Sequence, residues 1–121
     1  MKNYKSLKDL TNKVVLITGA SGGLGEQIAY QVAKKGAIVV ACARRKEKLD
    51  VVVENCQNLS KRLAYAYQLD ISKPEEVEKV VNEVEEEVGP VSVLINNAGF
   101  GLMEDFLDFD MDRAEAMFRV N

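Results

Sequence analysis

Two short glycine-containing segments, each directly after an apolar run, constrain the fold of this chain more than any other feature. Residues 18–25 read TGASGGLG and follow the run VVLI, and residues 96–99 read NNAG and follow the run VSVLI. Short apolar runs bounded by such segments are typical of buried strands. Each segment is therefore predicted to form a turn that closes a buried strand.

Strand-like and helix-like segments alternate along the chain. Apolar residues recur at helical spacing between the predicted strands, and a further helix is predicted from about Asp110 to Asn121. This alternation is typical of a parallel sheet covered by crossover helices, so we expect an α/β fold with a doubly wound sheet. The predicted strands are Val14–Thr18, Ile38–Ala43, Ala64–Leu69 and Val91–Ile95.

Local signals predict where the helices begin and end. Gly36 suits the C-terminal stop of the first helix, and Gly89 suits that of the third. Ser72 and Glu75 have the spacing of a capping box, and Pro74 stands where a first helical turn tolerates proline. The third helix is therefore expected to start with Ser72 as its cap.

Composition and charge exclude several classes of function. The 121 residues include 19 acidic and 16 basic residues, a formal net charge of −3, which provides no broad basic field for nucleic acid. No run approaches membrane-spanning length and the first ten residues lack the apolar core of a signal peptide, which favours a cytoplasmic location. With no histidine and only Cys42 and Cys56, a metal site is not expected, and both thiols are predicted to be buried.

The first glycine segment has the residues that a phosphate-binding turn needs. A dinucleotide pyrophosphate binds where backbone N–H groups point outward at the N-terminus of a helix. One glycine makes the exit from the strand, one brings the phosphates against bare backbone and one lets the helix pack closely; Gly19, Gly23 and Gly25 fit these roles. Glycine also serves tight turns for steric reasons alone, but here strand, turn, helix and second strand follow in the required order.

Together, the patterns TGxxxGxG and NNAG resemble those of the short-chain dehydrogenase/reductase family, and the resemblance covers residues 13–121. It implies a Rossmann fold, with residues 1–121 as a dinucleotide-binding domain. It also implies an oxidoreductase that transfers hydride between a nicotinamide cofactor and a carbonyl or alcohol carbon of a small-molecule substrate. A non-catalytic dinucleotide-binding sensor or scaffold module is the alternative. The cofactor contacts implied in the first turn are Gly19, Ser21, Gly22, Gly23, Leu24 and Gly25.

The end of the second predicted strand favours NADP(H) over NAD(H). NAD-selective folds place an acidic residue here for the adenosine ribose, whereas an arginine accommodates the 2′-phosphate of NADP. This chain instead has Arg44 and Arg45, and the first acidic residue after the strand is Glu47. A guanidinium group can donate two hydrogen bonds at once to a phosphate. The alternative is that the two arginines merely begin a surface helix.

The resemblance also implies cofactor contacts after the third and fourth strands. Asp70 matches an aspartate that hydrogen-bonds the adenine amino group, and the Ile71 amide approaches the ring; the alternative is that Asp70 only caps the next helix. The loop 100–103 matches one that borders the substrate, although phenylalanine and methionine more often belong to a core. The positions that match ribose-lining residues are Asn97, Ala98 and Gly99.

The family's catalytic residues are matched only in part. Asn121 matches the asparagine that holds a water in a proton relay, whereas the Ser, Tyr and Lys of that tetrad normally lie beyond it. The strings Tyr4–Lys8 and Tyr30–Lys34 precede the NNAG motif and are interpreted as decoys. We therefore expect the N-terminal part of a longer, homo-oligomeric enzyme, inactive by itself, whose fourth strand is a bare sheet edge.

Overall fold

Strands and helices alternate in the computed structural model of the chain, which describes residues 9–97. Each of the four predicted strands is present, and a helix follows each of the first three. The expected α/β fold class is confirmed. The elements are β1 (Val14–Thr18), α1 (Gly23–Lys34), β2 (Ile38–Ala43), α2 (Lys46–Ser60), β3 (Tyr65–Gln68), α3 (Pro74–Glu87) and β4 (Val91–Asn96).

The four strands form one sheet in the order β3-β2-β1-β4, and every neighbouring pair is parallel. β1 lies between β2 and β4, and all five of its residues are buried. β3 and β4 lie at the edges of the described sheet and are less completely buried. The order reverses between β1 and β4, and in doubly wound folds such a reversal opens a crevice beyond the carboxyl ends of the strands.

Helices cover both faces of this sheet. Ile28 of α1 and Leu49 of α2 share one apolar core with Ile17, whereas Val84 of α3 shares a second core with Leu16. Leu16 and Ile17 are adjacent in β1 and face opposite ways because strand side chains alternate between the two faces. The apolar stripe of each helix therefore determines which side of the sheet it covers.

Both cysteines are buried free thiols, as the sequence predicts. Cys56 of α2 belongs to the core beneath α1 and α2, and Cys42 of β2 belongs to the core beneath α3. Burial raises the pKa of each thiol to about 12, because the thiolate form would lose its hydration. Both side chains act as small apolar packing groups.

β3 is shorter than the predicted strand Ala64–Leu69. The N–H group of Ala64 donates to the side-chain oxygen of Gln57 at 3.1 Å, so this residue bonds to α2 instead of a neighbouring strand. Only Tyr65–Gln68 pairs with β2. At the start of the strand, the difference arises because a side chain of the preceding helix accepts the hydrogen bond of the Ala64 N–H.

The predicted capping box at Ser72 is wrong. α3 begins at Pro74, its N-cap is Lys73, and no side-chain hydrogen bond caps it. The hydroxyl and N–H groups of Ser72 both donate to Asp70 Oδ1, at 2.7 and 3.0 Å. An aspartate side chain readily accepts a hydrogen bond from the backbone N–H two residues later. Because Ser72 donates to Asp70 in this way, its hydroxyl does not cap α3.

Several sequence predictions fall outside the described residues. Within residues 9–97, no helix is long and apolar enough to cross a membrane. The predictions that lie outside this range concern Tyr4–Lys8, Ala98, Gly99, the loop 100–103, the helix from about Asp110 and Asn121.

Candidate functional site

The loops that follow β1, β2 and β3 meet the end of β4 at one edge of the sheet, because the carboxyl ends of parallel strands point the same way. The strand register pairs Thr18 with Asn96, and it pairs Ala43 with Gln68. We call the first pair, the turn after β1 and Asn97 the β1–β4 end, and we call the second pair and the loops after β2 and β3 the β2–β3 end. The two ends have different chemistry.

Glycine is required at two positions of the turn between β1 and α1. Gly19 has φ +64°, in the left-handed region that glycine adopts without steric cost. A Cβ atom on Gly25 would lie 2.1 Å from the carbonyl oxygen of Gly19, well inside van der Waals contact. The close packing of α1 against the end of β1 therefore depends on Gly25.

The start of α1 presents bare backbone. Gly22 is the N-cap and makes no side-chain cap hydrogen bond, and the N–H groups of a first helical turn have no acceptor within the helix. An added Cβ would meet nothing within 4 Å at Gly22 or at Gly23. Free N–H groups at a helix N-terminus, with open space beside the backbone at both glycines, fit a phosphate group.

Side-chain hydrogen bonds join the two sequence motifs at the β1–β4 end. The hydroxyl of Thr18, which is 2% exposed, donates to Asn96 Oδ1 at 2.9 Å and accepts from the N–H of Asn97 at 3.1 Å. Asn97 Nδ2 in turn donates to the carbonyl oxygen of Gly19 at 3.3 Å. The end of β1 and the turn after it are thus held to Asn96 and Asn97 by neutral hydrogen bonds.

A cleft of about 470 Å³ opens at the β2–β3 end and extends to the first turn. Three cationic side chains line it, those of Arg44, Arg45 and Lys48, together with one carboxylate, that of Asp70. The two arginines are exposed where β2 leads into α2. The cleft is lined by Gly19, Ser21, Ala43, Arg44, Arg45, Lys48, Leu69, Asp70, Ile71 and Ser72.

Hydrogen bonds position the loops on either side of this cleft. Gln68 Nε2 donates to the carbonyl oxygen of Arg44 at 3.0 Å. The N–H of Leu69 donates to the carbonyl oxygen of Ala43 at 2.9 Å. The N–H of Asp70 donates to Glu76 Oε1 at 3.2 Å, which ties this loop to α3. The end of β3 therefore holds the end of β2.

The carboxylate of Asp70 is held in its charged form. The hydroxyl and N–H groups of Ser72 donate to it and lower its pKa. The positive charges of Lys73 and Arg44 lower this pKa further. Asp70 therefore stays anionic beside the three cations of the cleft. An anionic carboxylate can accept a hydrogen bond from an amino group.

Tyr30 lies away from the strand ends. Its hydroxyl donates to Glu26 Oε2 at 2.6 Å and accepts from Asn55 Nδ2 at 2.9 Å, bridging α1 and α2. Burial, followed by the Glu26 carboxylate, raises the pKa of this hydroxyl. These contacts describe a tyrosine that links two helices, in keeping with the interpretation of Tyr30–Lys34 as a decoy.

The structure brings most of the predicted cofactor contacts to one edge of the sheet. Gly22, Gly23, Leu24 and Gly25 lie in the adjoining turn and at the start of α1, and Asn97 reaches the carbonyl of Gly19. Ala98, Gly99 and Asn121 lie outside the described residues. The predicted residues that line the cleft itself are Gly19, Ser21, Arg44, Arg45, Asp70 and Ile71.

Sequence reasoning missed Thr18, Gln68 and Lys48. Lys48 follows Arg45 by three residues, the spacing at which helical neighbours share a face, so its place beside the arginines could have been found. The contacts of Thr18 and Gln68 depend on strand register, for which the sequence carries no local signal.

Comparison with known proteins agrees with this geometry. A family model described as short chain dehydrogenase matches residues 13–121. Epidermal retinol dehydrogenase 2 of Mus musculus is 41% identical over 117 residues, which are 97% of this chain and 38% of that protein. The chain thus spans little more than a third of that relative's length.

Solved structures show the same arrangement of strands and helices. L-sorbose reductase of Gluconobacter frateurii, solved with NADPH and L-sorbose, has a TM-score of 0.71 and 34% identity, covering 78% of this chain and 36% of its own. An alcohol dehydrogenase of the archaeon Thermococcus sibiricus, solved with 5-hydroxy-NADP, has a TM-score of 0.64 and 35% identity. The match covers 68% of this chain and 35% of the dehydrogenase chain. The family match, the relatives and the glycine turn on a doubly wound sheet agree: this chain belongs to the short-chain dehydrogenase family.

Proposed function

We propose that the protein is an NADP(H)-dependent oxidoreductase that transfers hydride between the cofactor and a carbonyl or alcohol carbon of a small molecule. The observation that carries this proposal is the cationic cleft next to the glycine turn. Arg44 and Arg45 line it at the end of β2, where selectivity for the adenosine ribose is decided in such folds. A 2′-phosphate bears about two negative charges at neutral pH, which suits paired guanidinium groups.

Two structural relatives support this choice of cofactor. The L-sorbose reductase was solved with NADPH, and the archaeal alcohol dehydrogenase was solved with an NADP derivative. Both are reductases or dehydrogenases of small molecules by name. Their matches cover 78% and 68% of this chain.

The residues of this chain would bind and orient the cofactor. The free N–H groups of the first turn of α1 would hold the pyrophosphate, since Gly22 and Gly23 carry no side chain and leave open space beside the backbone. Asp70, whose carboxylate stays charged, would accept a hydrogen bond from the adenine amino group, with the Ile71 amide beside the ring. When bound, the nicotinamide supplies or accepts the hydride.

The remaining assignments follow from the family. Asn97, Ala98 and Gly99 would line the ribose, and Asn121 would hold a water in the proton relay. Asn97 already contacts the carbonyl of Gly19, which places it beside the turn. The homo-oligomeric state and the cytoplasmic location stay predictions of the sequence.

Titration of both cofactors tests the proposal directly. In the full-length protein, Arg44→Ala should weaken NADPH binding roughly ten- to hundredfold, because a hydrogen bond to a charged group contributes about 1.5–3 kcal/mol. NADH affinity should be nearly unchanged, because NADH has no 2′-phosphate. Lys79→Ala, which removes one exposed positive charge from α3, is the matched control and should change neither affinity.

Two results would contradict the assignment. A wild-type protein that bound NADH as tightly as NADPH would refute the NADP(H) preference. Equal loss of both cofactors in Arg44→Ala would mean that Arg44 acts on a part that both share. The non-catalytic alternative would require that the full-length protein bind NADPH and reduce no carbonyl in a broad substrate panel.

A further inference from the structure

We infer that Lys48 is a further determinant of cofactor selectivity, whose ammonium group contacts the 2′-phosphate of NADP(H) from the first turn of α2. This inference rests on the proposed function and deepens it. Lys48 lines the same cleft as Arg44, Arg45 and the glycine turn. It therefore adds a third positive charge where the phosphate is proposed to bind.

Helix geometry directs Lys48 into the cleft. Arg45 is the N-cap of α2, and Lys48 lies three residues later, so the two share one face of the helix. The next residue, Leu49, is fully buried in the core between α2 and the sheet. Because Leu49 fixes the rotation of α2 about its axis, the position of Lys48 relative to the strand ends is fixed as well.

Lys46 shows that proximity in sequence does not suffice. Lys46 and Lys48 differ by about 200° around the helix axis, so they face nearly opposite ways. Lys46 Nζ lies 3.2 Å from Asp50 Oδ1, in an i,i+4 ion pair, and Lys46 does not line the cleft. The chain therefore has two neighbouring lysines of equal charge, of which one faces the proposed phosphate.

The ammonium of Lys48 is available for an anion. Among residues 9–97, the ion pairs are Lys46–Asp50 and Lys73–Glu76, so Lys48 is not paired with a carboxylate there. The acidic residue of the cleft, Asp70, already accepts two hydrogen bonds from Ser72 of its own loop. An ammonium on a flexible stem can then adjust to phosphate oxygens that the planar guanidinium groups leave without a donor.

The test compares three variants of the full-length protein by equilibrium titration. Lys48→Met removes the charge and keeps an unbranched stem, Lys48→Arg restores the charge, and Lys46→Met is the matched control. Four probes are used: NADPH, NADH, adenosine 2′,5′-bisphosphate and 5′-AMP. NADPH and adenosine 2′,5′-bisphosphate carry a 2′-phosphate, and NADH and 5′-AMP lack it.

Lys48→Met should weaken NADPH and adenosine 2′,5′-bisphosphate roughly fivefold, as expected for one exposed charge pair, and should leave NADH and 5′-AMP unchanged. Lys48→Arg should restore most of the affinity. Lys46→Met should change none of the four. This pattern would establish Lys48 as a 2′-phosphate contact.

Other patterns would overturn the inference. If wild-type protein prefers NADPH and Lys48→Met binds it normally, Lys48 is not a contact while the proposed function stands. Equal losses for NADPH and NADH would place Lys48 on a shared part of the cofactor, again without affecting the proposed preference. A wild-type protein that binds NADPH and NADH equally would refute the proposed preference and this contact together.

Discussion

The β1–β4 end and the β2–β3 end lie on the same edge of one sheet, yet they are built from different interactions. At the β1–β4 end, Thr18 is buried and neutral hydrogen bonds join it to Asn96 and Asn97. At the β2–β3 end, Arg44 and Lys48 are exposed and charged. The first end is held by hydrogen bonds to a buried side chain, and the second presents charge to solvent.

This difference separates two tasks that a dinucleotide site must perform. The pyrophosphate is common to all nicotinamide dinucleotides, and backbone N–H groups in a tightly packed turn suit it. Selectivity between the two cofactors depends on one phosphate, and exposed side chains can change without disturbing the core. Substitutions at the β1–β4 end should therefore affect stability and both cofactors, whereas those at the β2–β3 end should discriminate between the cofactors.

The largest expected effect is at Gly25. In Gly25→Ala the added Cβ would lie 2.1 Å from the Gly19 carbonyl oxygen, so α1 must move away from β1. We expect the free energy of unfolding to fall by about 3 kcal/mol or more, with loss of both cofactors. Chemical denaturation measures it, with Gly22→Ala as the control, because an added Cβ there meets nothing within 4 Å. Similar losses in the two variants would contradict the packing role of Gly25.

Gly23 should show the opposite balance between stability and binding. An added side chain meets no atom within 4 Å, but φ is +57°, so Gly23→Val should cost about 1–2 kcal/mol of stability. The valine would fill the open space beside the first turn of α1, where the pyrophosphate is proposed to bind, and should abolish binding of NADPH and NADH alike. Circular dichroism would establish that the variant is folded, and normal NADPH binding by it would refute the phosphate turn.

Thr18 should contribute to stability through its hydroxyl group. Thr18→Val keeps the shape but leaves Asn96 Oδ1 and the Asn97 N–H without their partner, which should cost about 2 kcal/mol. Thr18→Ser keeps the hydroxyl, loses one buried methyl group and should cost about 1 kcal/mol. Denaturant midpoints of the two variants decide this, and a valine variant as stable as the wild type would show that the hydrogen bonds contribute nothing.

The smallest expected effect is the pH dependence of Asp70. Its pKa is lowered in the folded protein because Ser72 donates to it, so its contribution is present above the unfolded pKa of about 3.9 and is lost as pH falls through the folded pKa. An NMR titration should show a midpoint below that of an ordinary aspartate, and Ser72→Ala should raise it. Asp9, whose pKa is lowered in the same way by Thr11, is an internal control that Ser72→Ala should not shift.

Much of the fold could be predicted because its signals are local. β1 and β2 match their predicted bounds, since a buried strand between turns is a continuous apolar run. The glycine turn could also be predicted from the sequence, because Gly19 adopts a left-handed φ and Gly25 has no room for a Cβ atom. The family pattern implies that Asp70 contacts the same cofactor as the two arginines, and all three line one cleft.

Other features depend on contacts between distant or competing residues. The hydrogen bond between Thr18 and Asn96 joins residues 78 positions apart, and only the parallel register of β1 and β4 makes them neighbours. The predicted capping box is wrong because the hydroxyl and N–H groups of Ser72 donate to Asp70. In both cases a polar side chain has several possible hydrogen-bond partners in the sequence, and only the folded structure shows which partner it bonds.

The two buried thiols provide a built-in reporter of how the molecule opens. A protonated, enclosed thiol is inert to alkylating reagents, so each cysteine should be labelled only when its surroundings open. Cys56 lies in the core beneath α1 and α2, and Cys42 lies in the core beneath α3. The rates of modification of the two, followed by mass spectrometry under native conditions, should therefore measure the opening of each layer separately, without any introduced label.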